Sequence, residues 1–164
     1  MRRLLLLLMV GCVPLDGQDD DDDDDATRDD PTCLVPGEPS VELVDDGEDH
    51  APLSDGADIV VQRQYQGAVA TVVALQWTGV PGGESLGALS AEVVTDEGDV
   101  VASRAFDEAF APCDAHGGVA LHGFEVFYAY GGPMPEVDGL SATLTVASGD
   151  LSASVSGVLR VVGQ

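Results

Sequence analysis

The stretch Ser141-Ala142-Thr143-Leu144-Thr145-Val146-Ala147-Ser148-Gly149-Asp150-Leu151-Ser152-Ala153-Ser154-Val155-Ser156-Gly157-Val158-Leu159-Arg160 decides the fold class. Apolar Ala142, Leu144 and Val146 alternate with Ser141, Thr143 and Thr145. After Ser148-Gly149-Asp150, the apolar set Leu151, Ala153, Val155, Leu159 and Val161 alternates with Ser152, Ser154, Ser156 and Arg160. A period of two places all the apolar side chains on one face, which is the pattern of a half-buried strand. Two such runs separated by a glycine turn predict a β-hairpin.

Upstream the same grammar recurs. Leu89-Ser90-Ala91-Glu92-Val93 alternates, reaches the turn Asp96-Glu97-Gly98-Asp99, and resumes over Val100 to Arg104. Longer apolar runs at Ile59–Val61, Val69–Trp77 and Val119–Tyr130 predict central strands. Only Arg104–Ala111, ended by Pro112, carries enough helix formers for a turn or two of helix. Seven to nine short strands with frequent Gly and Pro breaks predict an all-β fold, an antiparallel immunoglobulin-like sandwich, with a small barrel as the second choice. The sandwich domain is assigned to residues 38–164, enough chain for one core.

Charge narrows the functions. The chain carries 30 acidic residues against 6 basic ones, a net charge of −24. Such a surface repels nucleic acid and anionic lipid, so neither is a direct partner.

The N-terminus has its own logic. Met1-Arg2-Arg3 precedes an apolar run from Leu4 to Val10 and then Gly11-Cys12. A basic start, a short apolar core and a small residue before the cut describe a secretory signal over residues 1–11. The run is too short for a membrane-spanning helix, which takes about 20 residues. Residues 12–37 read as a tether: Asp19 to Asp25 are seven consecutive aspartates, expected to be disordered and extended. A calcium loop would need a glycine turn and a terminal glutamate that this run lacks.

Met9-Val10-Gly11-Cys12 resembles the lipobox of bacterial lipoproteins, with Met9 in place of the usual leucine. The resemblance implies cleavage before Cys12, a diacylglycerol thioether on its sulfur, and a membrane partner reached through that lipid. Val13, rather than an aspartate, after Cys12 resembles lipoproteins sent to the outer membrane, facing either the periplasm or the cell surface. With Cys12 lipidated, Cys33 and Cys113 are left as a pair in an oxidising compartment, where a disulfide is expected; two free thiols are the alternative.

Pro52-Leu53-Ser54-Asp55-Gly56-Ala57-Asp58-Ile59-Val60-Val61, followed by Gln66-Gly67 and a strand running to Trp77-Thr78-Gly79, resembles a pattern in uncharacterised Gram-negative lipoproteins with aspartate-rich tethers. The resemblance spans some 30 residues of the domain, and Ala68 departs from it where a second glycine is usual. It implies a sandwich, and it brings no activity that can be carried over. Asp55-Gly56 suits a turn feeding a strand, and Gln66-Gly67 a bulge or bend.

Two constellations invite a catalytic or metal reading. Gly83-Glu84-Ser85-Leu86-Gly87 fits the nucleophile-elbow pattern, with Asp114 and His116 following in hydrolase order and His122 as a second candidate base. That elbow requires a strand-to-helix turn, and here it precedes an alternating strand. Cys113, Asp114, His116 and His122 could be drawn as zinc ligands, but a disulfide would remove Cys113. Trp77, Tyr128 and Tyr130 lie in apolar runs and are expected in the core, although Tyr128-Ala129-Tyr130-Gly131-Gly132-Pro133 could also form a partner-binding end. The expectation is a non-enzymatic envelope lipoprotein with no cofactor and no metal, binding an unknown protein or glycan or serving as a structural module. The alternatives are an exported serine hydrolase using Ser85, and a calcium-responsive adhesion module.

Overall fold

The computed structural model describes residues 33–47, 50–114 and 117–163. They form eight strands: β1 (Ser40–Val44), β2 (Asp58–Arg63), β3 (Ala68–Thr78), β4 (Ser85–Thr95), β5 (Val100–Phe110), β6 (Val119–Tyr130), β7 (Ser141–Ser148) and β8 (Leu151–Val162). No helix occurs among the described residues.

The alternating stretch behaves as its sequence dictates. Ala142, Leu144 and Val146 of β7 are buried, as are Val155 and Leu159 of β8, while Ser152, Ser154, Ser156 and Arg160 face solvent. Ser148 pairs with Leu151, so the hairpin loop is Gly149-Asp150 alone. Gly149 has φ +57°, and a side chain there would meet the Leu86 carbonyl at 2.8 Å, so glycine serves both the turn and a close approach to β4. The second hairpin, β4–β5, closes through Thr95 N–H donating to the Asp99 carbonyl (2.9 Å).

The sandwich expectation is corrected. All eight strands belong to one sheet in the order β1-β3-β2-β8-β7-β4-β5-β6, and β6 pairs back onto β3. The seven strands from β3 round to β6 therefore close as a barrel, the architecture ranked second from the sequence. β2 bonds to β3 on one side and, in parallel, to β8 on the other, so no free edges separate two layers. β1 stays outside the closure: it pairs with Ala74–Thr78 of β3, beyond the Val69 and Ala70 that β2 takes on the same strand.

Arg104–Ala111 is likewise not a helical turn; Arg104 to Phe110 continue β5. Pairing with β4 as far as Ser85↔Phe110 overrides the local helix formers. On its other edge β5 meets β6 at one register pair, Ser103↔Phe127, so this seam of the barrel is open over most of its length. Arg104 bridges it. Its guanidinium donates to the Glu125 carbonyl (3.1 Å) and lies 4.7, 5.6 and 5.0 Å from the ring centroids of Phe106, Phe124 and Phe127.

The core includes Trp77, which is 1% exposed and donates its indole N–H to Ser148 Oγ, together with the buried Leu43, Leu75, Leu89, Leu144 and Leu159. The Cys33–Cys113 disulfide is present, with Cα atoms 5.7 Å apart. Cys33–Gly37, counted with the tether by composition, run along the β3–β4 loop: Gly79 N–H donates to the Val35 carbonyl and Gly82 N–H to the Cys33 carbonyl. Cys12 and the aspartate run lie outside the described residues.

Candidate functional site

The barrel has two ends. Along the β3–β6 pair, Trp77 faces Val119 at one end and Ala68 faces Tyr130 at the other. Cys113 bridges to Val119, so the disulfide marks the first end. The second lies about 30 Å away at roughly 3.3 Å per strand residue. It is built from the β2–β3 turn and the end of β6.

In that turn Gln64 N–H donates to the Ala68 carbonyl (2.7 Å) and Gly67 N–H to the Gln64 carbonyl (2.9 Å), with Gly67 at φ +83°. Gln66-Gly67 is thus a bend between strands, as its sequence suggested. The tight turn leaves Tyr65 no surface to cover, and its side chain stands fully in solvent. β6 ends at Tyr130, 77% exposed, where Gly131 and Gly132 both take positive φ. Arg63 fixes the two pieces together: Nη1 donates to the Gly67 carbonyl (3.1 Å) and Nη2 to the Gly132 carbonyl (3.0 Å). Gly131 N–H also donates to the Gly67 carbonyl (3.3 Å). One guanidinium thereby sets the spacing of two exposed tyrosines.

Between them runs an open groove of about 390 Å³, lined by Gln64, Tyr65, Gln66, Glu125, Phe127 and Tyr130. The Phe127 and Tyr130 rings stack at 4.6 Å with a 36° tilt. Gln64 Nε2 is buried and without a hydrogen-bond partner, an arrangement that costs about 1–3 kcal/mol unless something accepts from it. Two exposed aromatic rings, two amides and a carboxylate on a braced frame suit binding through side chains.

The tyrosine segment is divided by a β-bulge: Val69 pairs with Ala129 and Ala70 with Phe127, so Tyr128 and Tyr130 do not share a face as the pleat alone would have them. Tyr128 points inward, where burial raises its phenol to about 12. Thr71 Oγ1 donates to the Val60 carbonyl (2.9 Å), so the Tyr128 hydroxyl is the donor in its 3.0 Å bond to Thr71. Trp77 and Tyr128 are core residues as expected; Tyr130 is not. Sequence reasoning read Gln66-Gly67 as geometry alone and passed over Tyr65. The available signal was an aromatic residue inside a turn, where no core can receive it.

Among the described residues, the candidates Ser85 and His122 lie on different strands with partners of their own. Ser85 opens β4, with no strand-to-helix turn; its Oγ donates to Glu108 Oε1 (3.3 Å) and accepts from Gly87 N–H. Asp114 accepts from Gly118 N–H (2.8 Å), which shapes its own loop, and His116 lies outside the described residues. His122 sits on β6 with Nδ1 3.7 Å from Asp46 Oδ1 and its ring 4.7 Å from that of His50. Cys113 is in the disulfide. Among the described residues no group of three or more His, Cys, Asp or Glu side chains is arranged to hold a metal ion.

Comparison with known proteins finds no family model that matches the chain and no matching curated protein.

Proposed function

We propose that this chain is a non-enzymatic, lipid-anchored binding protein of the bacterial outer membrane, held through Cys12 and engaging its partner with the Tyr65–Tyr130 end of the barrel. One relationship carries the reading: Cys33, the first described residue, and the aromatic groove lie at opposite ends of the β3–β6 pair. A protein tied to a surface by its N-terminus would then present that groove outward. The lipobox-like Met9-Val10-Gly11-Cys12 supports the anchor, and the acidic run after it supports a spacer that acidic headgroups repel.

The test is protease shaving of intact cells that express the full chain, beside a Cys12→Ala version. The expected result is membrane-bound wild type and a Cys12→Ala chain lost from the membrane fraction. Digestion in intact cells assigns the barrel to the cell surface, and protection until the outer membrane is opened assigns it to the periplasmic face. A Cys12→Ala chain that stays with the membrane overturns the anchor.

A further inference from the structure

We propose that the groove between Tyr65 and Tyr130 takes a neutral oligosaccharide. The inference rests on the binding-protein reading and names its ligand class. The C–H face of a pyranose is apolar and flat, and it stacks on aromatic rings, while its rim of hydroxyls both donates and accepts. The groove offers both kinds of contact. Tyr65 stands clear of the protein, and Tyr130 is braced against Phe127 at 4.6 Å. Gln64 and Gln66 supply planar amides, each able to donate and accept, and Glu125 supplies an acceptor for hydroxyl protons.

The unpartnered Gln64 Nε2 is the second, independent observation. Gln64 lines the groove while its Nε2 is buried without a partner, and a turn of the amide toward the groove would let a sugar hydroxyl or ring oxygen accept from it.

Charge and backbone pairing separate this ligand from its rivals. A chain at −24 repels anionic polymers. A cationic ligand would have to share Phe127 with Arg104, whose guanidinium already lies 5.0 Å from that ring. An extended peptide gains affinity chiefly from an unpaired sheet edge. Here Ala68 and Val69 are paired with Tyr130 and Ala129, and the length of β6 that β5 leaves unpaired faces the seam bridged by Arg104.

The experiment uses the full-length chain in a detergent without a sugar headgroup. It is tested by calorimetry against a panel of neutral oligosaccharides, with proline-rich peptides alongside. The expected result is a member of the oligosaccharide panel bound with a Kd between micromolar and millimolar. Tyr65→Ala, which removes a fully exposed side chain, and Gln64→Leu are each expected to weaken it tenfold or more. Phe110→Ala, an exposed aromatic on β5, should leave it unchanged. Sugar binding that Tyr65→Ala does not alter, or peptide binding without sugar binding, overturns the inference. Failure of the parent reading looks different. Envelope material retained by wild type but not by Tyr65→Ala, and released by protease rather than glycosidase, overturns the glycan and keeps the groove. Material retained equally by both overturns the groove as well.

Discussion

The guanidinium of Arg104 on β5 lies 5.0 Å from the ring centroid of Phe127 on β6, beside the single register pair that joins these two strands. Elsewhere the barrel is held by ladders of backbone hydrogen bonds, whereas here side chains join the strands, Arg104 to Glu125 and three rings, and Phe106 to Phe124. Arg104→Ala removes contacts to three rings and the bond to the Glu125 carbonyl, and should cost about 2–3 kcal/mol. Arg104→Lys should recover only part, since a point charge does not reproduce the planar stack. Denaturant unfolding followed by Trp77 fluorescence gives the loss. Hydrogen exchange should show it concentrated in β5 and β6.

The Cys33–Cys113 disulfide closes a loop of 80 residues. In the chain-entropy model such a crosslink contributes about 4 kcal/mol. Denaturation with and without reductant, and of Cys33→Ser paired with Cys113→Ser, should show a loss of that order. An unchanged midpoint would count against it.

Two glycines with positive φ make a controlled comparison. At Gly79 (φ +69°) an added methyl would meet the Gly37 carbonyl at 2.6 Å and the Pro39 nitrogen at 2.7 Å, all rigid backbone. At Gly98 (φ +91°) it would meet nothing within 4 Å. Gly79→Ala should therefore cost about 3 kcal/mol or more and Gly98→Ala about 1–2 kcal/mol, the conformational part alone. Thermal melts of the two variants measure the difference that close approach makes.

Burial raises the Tyr128 phenol to about 12, against an ordinary value near 10. Between these values the unfolded chain loses this proton while the folded chain keeps it, so stability is unaffected below about pH 10 and falls from pH 10 to pH 12. The loss reaches at most about 3 kcal/mol, the equivalent of two pH units. Tyr128→Phe should remove this component of the alkaline decline, and with it a phenolate absorbance step near pH 12.

The hairpins were legible because alternation is a local property. Ser141–Val162 states its inward face residue by residue, and Asp96-Glu97-Gly98-Asp99 marks its turn by composition. Closure was not legible, because alternation says which face is buried and is silent on which edge finds which neighbour. The parallel β2–β8 pair and the return of β6 onto β3 join residues about 100 and 50 positions apart. The far half of β5 was hidden for a different reason. Beyond Ala102 it is exposed or half-buried on both faces, so Arg104–Phe110 shows no period of two. At the groove, Tyr130 was visible as one end of an apolar run. Tyr65 and Gln64 acquired meaning only once Arg63 had drawn the β2–β3 turn against Gly132.

The disulfide also sets a load path. A pull applied at the N-terminal side of Cys33 passes through the sulfur bridge to Cys113 and into β6, bypassing everything from β1 to β5. Stretched between Cys33 and the C-terminus, the protein would extend only the chain beyond Cys113. Roughly 270 Å of contour, 80 residues at about 3.4 Å each, stays locked until the bridge is reduced. Tyr65, Gln64 and Arg63 all lie inside the locked length, so the turn that carries half of the groove is sheltered from tension applied at Cys33.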